Sequence, residues 1–174
     1  MSIYKNRSLA LIAFAMALFA APGVQAAEQA AAAAAPAEAK SEYVAPKIKH
    51  DRYGTIKLVV PMTTNDKGIQ GMKLRNIANG LGAAADWHGK LEVTVVMYAK
   101  GTSLVKDPDD KMKQAMDDLR AKGVRFVICN NSMREQGLDY HKLYKITDAD
   151  VVPSGFLEVA FLQARKHYVV DPSL

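Results

Sequence analysis

The stretch Gly123-Val124-Arg125-Phe126-Val127-Ile128-Cys129-Asn130-Asn131-Ser132-Met133-Arg134-Glu135-Gln136-Gly137 decides the fold. Gly123 is a helix-stop residue. Residues 124–128 form a short apolar run of the kind that makes a buried strand. The run ends on Cys129, the only cysteine in 174 residues. Polar residues follow, and a short helical or turn segment closes at Gly137. The spacing therefore places Cys129 at the carboxyl end of a strand, where open α/β sheets put their ligands.

Upstream, residues 55–62 read as a first strand, because Ile56, Leu58, Val59 and Val60 are strongly β-prone and Pro61 marks its end. A polar loop at 63–66 offers an N-cap. A helix then runs to about residue 85, with Leu74, Ile77, Ala78 and Leu81 at helical spacing. Gly80 and Gly82 thin that helix, which points to close packing on the sheet or a neighbour. Residues 91–98 are a second strand, near-continuously apolar as expected when both faces are covered. Asp107-Pro108-Asp109-Asp110 predicts a helix start, with Asp107 as cap and Pro108 in the first turn. Met112, Ala115, Met116 and Leu119 make its buried stripe, and a methionine stripe reads as core before it reads as a ligand box.

Downstream, a short helical piece follows Asp139, and residues 150–152 make a brief strand. Pro153-Ser154-Gly155 opens a last helix with Leu157, Ala160, Phe161 and Ala164 on one face. Residues 167–170 are a final strand ended by Asp171-Pro172. Strands alternate with helices throughout. The expected fold class is α/β, a three-layer α/β/α sandwich with a mostly parallel sheet of roughly five strands.

The first 26 residues read as a secretory signal peptide. Lys5 and Arg7 give the positive n-region, residues 9–21 the apolar h-region, and Val24-Gln25-Ala26 a small-residue cleavage site. The apolar run is shorter than the ~20 residues a spanning helix needs, so no membrane association is expected after cleavage. Residues 27–50 are an Ala/Pro-rich linker with no large apolar face to bury, expected to be disordered. Residues 51–174 form the domain. Removing Lys5 and Arg7 lowers the basic count from 23 to 21 against 18 acids, so the mature charge is near +3. That mild, scattered charge does not call for nucleic acid. Export implies a periplasmic, oxidising compartment, and one cysteine cannot staple the fold with an internal disulfide.

Four local patterns resemble the DsrE/DsrF-like family, specifically its exported single-domain branch, over about residues 55–172. They are Asn76-Ile77-Ala78-Asn79; Val93-Thr94-Val95-Val96 leading to Gly101; Gly123 through Ser132; and Val152-Pro153-Ser154-Gly155-Phe156 with Leu162-Gln163 and His167-Tyr168-Val169. The resemblance implies homo-oligomers, often trimers or hexamers. The chain has no G-x-S-x-G, phosphate loop or dinucleotide fingerprint, so no cofactor is expected. In sulfur-relay members a cysteine after the third strand carries sulfur as a persulfide, and Cys129 matches that position. Arg134 and Gly137 fit the pattern that follows it. Gly101, Ser154 and Gly155 fall in the matched segments as binding positions. Many relatives carry a histidine just before the second-strand glycine, where this chain has Tyr98-Ala99-Lys100. A sulfur donor or acceptor protein, or a small ligand, is the implied partner.

A thiol acts as nucleophile or sulfur carrier only as thiolate, and a helix N-terminus or a nearby cation lowers its pKa. A helical turn from Asn131 or Ser132 would supply the first, and Arg134 the second. The backbone N–H groups of Asn130, Asn131 and Ser132 are expected to cradle a terminal sulfur or small anion. These features predict a Cys129 that solvent reaches. A buried structural cysteine stays open as the alternative. Asn130-Asn131-Ser132 is formally a glycosylation sequon at a strand end. His50, His88, His141 and His167 are scattered without ligand spacing, so no metal site is expected. Two functions follow: a periplasmic sulfur or thiol-transfer protein acting through Cys129, or a non-catalytic oligomeric module binding a small ligand or partner at the same edge.

Overall fold

The structure is a computed structural model, and it describes residues 47–48 and 54–173. The expected signal peptide lies outside the described residues, as does nearly all of the linker. Among the described residues no helix is long and apolar enough to cross a membrane.

Five strands and five helices alternate along the described chain. They are β1 (Thr55–Met62), α1 (Lys67–Asp86), β2 (Lys90–Met97), α2 (Ser103–Lys106), α3 (Asp110–Ala121), β3 (Arg125–Cys129), α4 (Asn130–Glu135), β4 (Val151–Val152), α5 (Gly155–Lys166) and β5 (Val169–Val170). Every strand pair is parallel, in the order β4-β3-β2-β1-β5. Successive crossovers from β1 to β4 step one way, and the last returns across the sheet to the far side of β1. Because parallel crossovers keep one hand, the reversed step puts its helix on the opposite face. The α/β/α sandwich follows.

Side chains alternate between the two faces along each strand. Val60, Met62, Val93, Val95, Met97, Phe126 and Ile128 point into the larger core, with Leu74 and Ile77 of α1 and Met116 and Leu119 of α3. The methionine stripe of α3 is core, as expected. Val59, Val96 and Val127 face the other way, beneath Val159 and Leu162 of α5. Each such side chain is worth about 1.5–3 kcal/mol when fully buried. Phe126 is completely enclosed, so Phe126→Ala would cost about 3–5 kcal/mol.

Pro61 lies inside β1, paired with Val96. Its missing N–H is tolerated because β5, on the other side of β1, reaches only Leu58 and Val59. Asp66 caps α1 by accepting from the Ile69 N–H at 2.9 Å. The expected start of the next helix moves by two residues. Asp109, not Asp107, caps α3, accepting from the Met112 N–H at 2.9 Å. Pro108 therefore precedes the helix, held outside it by the separate short turns of 99–106. Leu157 and Phe161 do share a face of α5, but it is the outer one: they are 65% and 44% exposed, and Phe156 beside them is 74% exposed. Gly155, Val159 and Leu162 form the face that packs on the sheet.

Candidate functional site

The carboxyl ends of the central strands lie level. Met62 pairs with Met97, Met97 with Ile128, and Cys129 with Val152. Cys129 thus projects one residue beyond its neighbours on β2. It is both the last residue of β3 and the N-cap of α4, its extended backbone (φ −75°, ψ 119°) turning the chain into the helix. Its Sγ accepts from the Ser132 N–H at 3.4 Å. The cysteine occupies the place where a serine or aspartate would ordinarily cap.

A second helix start closes on the same sulfur. Ser154 caps α5, accepting from the Leu157 N–H at 3.3 Å. The next residue, Gly155, brings its N–H to Cys129. The approach is so close that a Cβ on Gly155 would sit 2.7 Å from the Tyr98 Cβ and 3.1 Å from the Cys129 Cβ. Burial is the largest influence on the thiol and pushes its pKa up. Hydrogen bonds from the Gly155 N–H, the Ser132 hydroxyl, the Ser132 N–H and the Asn131 N–H together outweigh it and bring the pKa below the ordinary thiol value. Tyr98 stands beside this group. Burial, and then the Cys129 charge, push its phenol above the ordinary range.

The other expected site residues are placed as follows. Asn130 is half-buried in the first turn of α4, and Asn131 is exposed there. Arg134 lies exposed in the last turn of α4 and lines a shallow polar depression with Asn131 and Glu135. The groups that lower the thiol are N–H groups and a hydroxyl, with no guanidinium among them. Gly101 is buried, and a Cβ there would overlap the Met62 carbonyl, with Thr63 N only 2.8 Å away. Its small size lets the turn after β2 pass over the end of β1. The expected openness of Cys129 is not met: the residue is 4% exposed. Gly155 packs against it, and Tyr98 packs against Gly155.

Sequence reasoning missed Tyr98, Thr102 and Gln136. Thr102 donates to Gln136 Oε1 at 2.8 Å, tying the turn after β2 to α4. Gln136 offered no signal, since a polar residue before a glycine at a helix end reads as surface. Among the described residues no group of three or more His, Cys, Asp or Glu side chains could hold a metal ion.

A five-stranded parallel sheet with a cysteine at its carboxyl edge makes this an α/β protein. The DsrE/DsrF-like family profile matches residues 55–172, and the chain belongs to that family. A solved structure of similar fold is a protein of unknown function from Methanobacterium thermoautotrophicum. It is 22% identical, with a TM-score of 0.58 over 67% of this chain and 97% of that one. No functionally curated protein matches the chain.

Proposed function

We propose that this chain is a periplasmic sulfur carrier that holds sulfane sulfur as a persulfide on Cys129. The observation that carries the reading is the convergence of two helix starts on one sulfur. The Ser132 N–H donates to Sγ at 3.4 Å, and the N–H groups of Asn131 and Gly155 and the Ser132 hydroxyl act with it to lower the thiol. Such a nest favours negative charge on the sulfur. The family's association with sulfur relay supports the same reading. In the step proposed, the Cys129 thiolate attacks the terminal sulfur of a donor persulfide. A new S–S bond forms at Cys129, the donor's S–S bond breaks, and the donor leaves as a thiolate. An acceptor thiolate reverses the exchange, so no external oxidant or reductant is consumed. With Sγ covered, transfer needs the first turn of α5 or the Tyr98 side chain to move aside.

Export is part of the proposal and rests on the n-region, h-region and cleavage site within residues 1–26. Assembly into a trimer or hexamer is supported by the family resemblance and by the exposed Phe156, Leu157 and Phe161 of α5. Intact mass of the exported protein, expected to begin at Ala27, tests the first. Light scattering tests the second, and a clean monomer would count against assembly.

The experiment for function is incubation of native protein with a low-molecular-weight persulfide, followed by intact mass spectrometry. Wild type should gain one sulfur and Cys129→Ser none. A native protein that gains nothing, while the urea-unfolded chain does, would make Cys129 structural. A second reading then takes its place: a non-catalytic oligomeric module that binds a partner or small apolar ligand. The observations favouring it are the 4% exposure of Cys129 and an open groove of ≈ 500 Å³ along α5, lined by Leu157, Ala160, Phe161 and Ala164 among others.

A further inference from the structure

Ala99, just after β2, is one of four non-glycine residues with positive φ among the described residues, at 49°. Left-handed backbone is uncommon for an alanine and persists only when its surroundings hold it. Here both of its peptide groups are held. Its N–H donates to Ser132 Oγ at 2.8 Å. Its carbonyl accepts from Gln136 Nε2 at 2.8 Å. Thr102 Oγ1 lies 3.2 Å from that carbonyl and 2.8 Å from Gln136 Oε1, so its single proton goes to the nearer oxygen. The Gln136 amide is thereby oriented, oxygen toward Thr102 and nitrogen toward Ala99.

The consequence falls on Ser132. A serine hydroxyl has one proton and two lone pairs. With the Ala99 N–H occupying a lone pair, the Ser132 proton is directed away from Ala99. The sulfur of Cys129, which already accepts from the Ser132 N–H at 3.4 Å, is the acceptor beside it. We infer that Gln136 and Thr102 are positioning residues for Cys129, pinning Ala99 in its left-handed conformation so that the Ser132 hydroxyl is aimed at the thiolate. The inference rests on the reading of Cys129 as a working thiolate. Without the clamp, Ala99 relaxes to negative φ, its N–H leaves Ser132, and the hydroxyl proton is free to turn elsewhere. The same turn carries Tyr98, so the clamp also fixes the residue that packs over the Cys129–Gly155 contact.

The test is the ultraviolet absorbance of the Cys129 thiolate against pH, each protein blanked with its Cys129→Ser counterpart. This readout needs no reagent to reach the buried sulfur. Gln136→Leu and Thr102→Val should each raise the thiol midpoint by about half a pH unit or more, the scale of one hydrogen bond to a charged group. Ser132→Ala should raise it at least as much. Ala99→Gly removes the steric cost of the left-handed conformation, so it should restore part of the lost acidity in the Gln136→Leu protein. Lys73→Met, which destabilises the domain at a remote ion pair, should leave the midpoint alone. Unchanged midpoints in both clamp variants would overturn the inference, as would an equal shift in Lys73→Met. If the clamp variants shift as expected but wild type takes up no sulfur, the positioning role stands and the carrier function falls.

Discussion

A Cβ on Gly155, first residue of α5, would sit 3.1 Å from the Cβ of Cys129, last residue of β3, and the Gly155 N–H is among the groups that lower the thiol. Two helices that enter the fold by different crossovers therefore begin against one side chain. Their N–H groups carry the positive ends of the helix dipoles, so both favour charge on the sulfur. The geometry is possible only because residue 155 has no side chain, the Tyr98 and Cys129 Cβ atoms already filling the space.

Gly155→Ala must therefore push α5 outward. Stability should fall by about 1–3 kcal/mol, the usual cost of overpacking, read from the urea midpoint. The Cys129 thiolate midpoint should move up at the same time, because a donor has withdrawn. A destabilised protein with an unmoved thiol would show that this N–H does not hold the sulfur.

Gly101 and Gly82 make an opposed pair. At Gly101 a Cβ runs into the backbone of Met62 and Thr63, and backbone cannot swing away as a flexible side chain can. Gly101→Ala should cost about 3 kcal/mol, at the upper end for overpacking. Nothing lies within 4 Å of a Cβ at Gly82, inside α1. Gly82→Ala should instead stabilise by about 0.5–1 kcal/mol through helix propensity. Thermal melts of the two variants beside wild type give both signs in one experiment.

The strands were legible because their signal is local. The apolar runs at 55–62 and 124–128 needed only β-branched density and flanking turn residues, and each falls within one residue of its observed bounds. The capping of α3 was less legible, since Asp107, Asp109 and Asp110 are chemically equivalent candidates. The turns at 99–106, bridging β2 and α3, decide among them. The outer face of α5 misleads for a related reason. Leu157, Ala160, Phe161 and Ala164 have core composition at helical spacing, yet Val159 and Leu162 are the residues that meet Val59, Val96 and Val127.

For the site, position was readable and environment was not. A strand followed by polar residues places Cys129 at the sheet edge. That Gly155 arrives there from 26 positions downstream depends on β4 pairing with β3, which a two-residue strand scarcely advertises. Arg134 is near in sequence but exposed at the far end of α4, whereas the groups acting on the thiol come from that helix's first residues and from α5. Closeness along the chain was a poor guide to electrostatics at this sulfur.

Lys73 gives an acid-sensitive clamp. Its Nζ donates to Asp171 Oδ2 at 2.8 Å and to the Ser173 carbonyl at 2.7 Å; Lys73 is buried and Asp171 is largely covered. Burial alone would raise the Asp171 carboxyl. The hydrogen bonds from Lys73 and Ser173 outweigh it and hold the group below the ordinary carboxylate range. A depressed folded pKa gives stability that is present above the unfolded value, about 3.9, and lost as pH falls through the folded one. Lys73→Met leaves Asp171 largely covered without its cation and should cost about 3 kcal/mol at neutral pH. The variant should also lose less stability than wild type on acidification. Parallel acid limbs in the two urea-midpoint profiles would show that the pair contributes no such linkage.

The same linkage, with a different group, puts the Cys129 nest under test without any sulfur donor. Its folded pKa lies below the ordinary thiol value because the N–H groups and the Ser132 hydroxyl outweigh burial. Between that folded value and the unfolded thiol value of about 8.5, the unfolded chain holds a proton that the folded chain has released. Stability contributed by the thiolate must therefore grow as pH rises through this window and level off above it. Cys129→Ser has no such titration. Urea midpoints of both proteins across neutral and alkaline pH should diverge in favour of wild type as pH rises, and then run parallel. A difference that stays constant would mean the thiol titrates alike in both states, leaving no stabilised anion at Cys129. A difference that shrinks with rising pH would mean that burial wins and the folded thiol is harder to ionise than the free one.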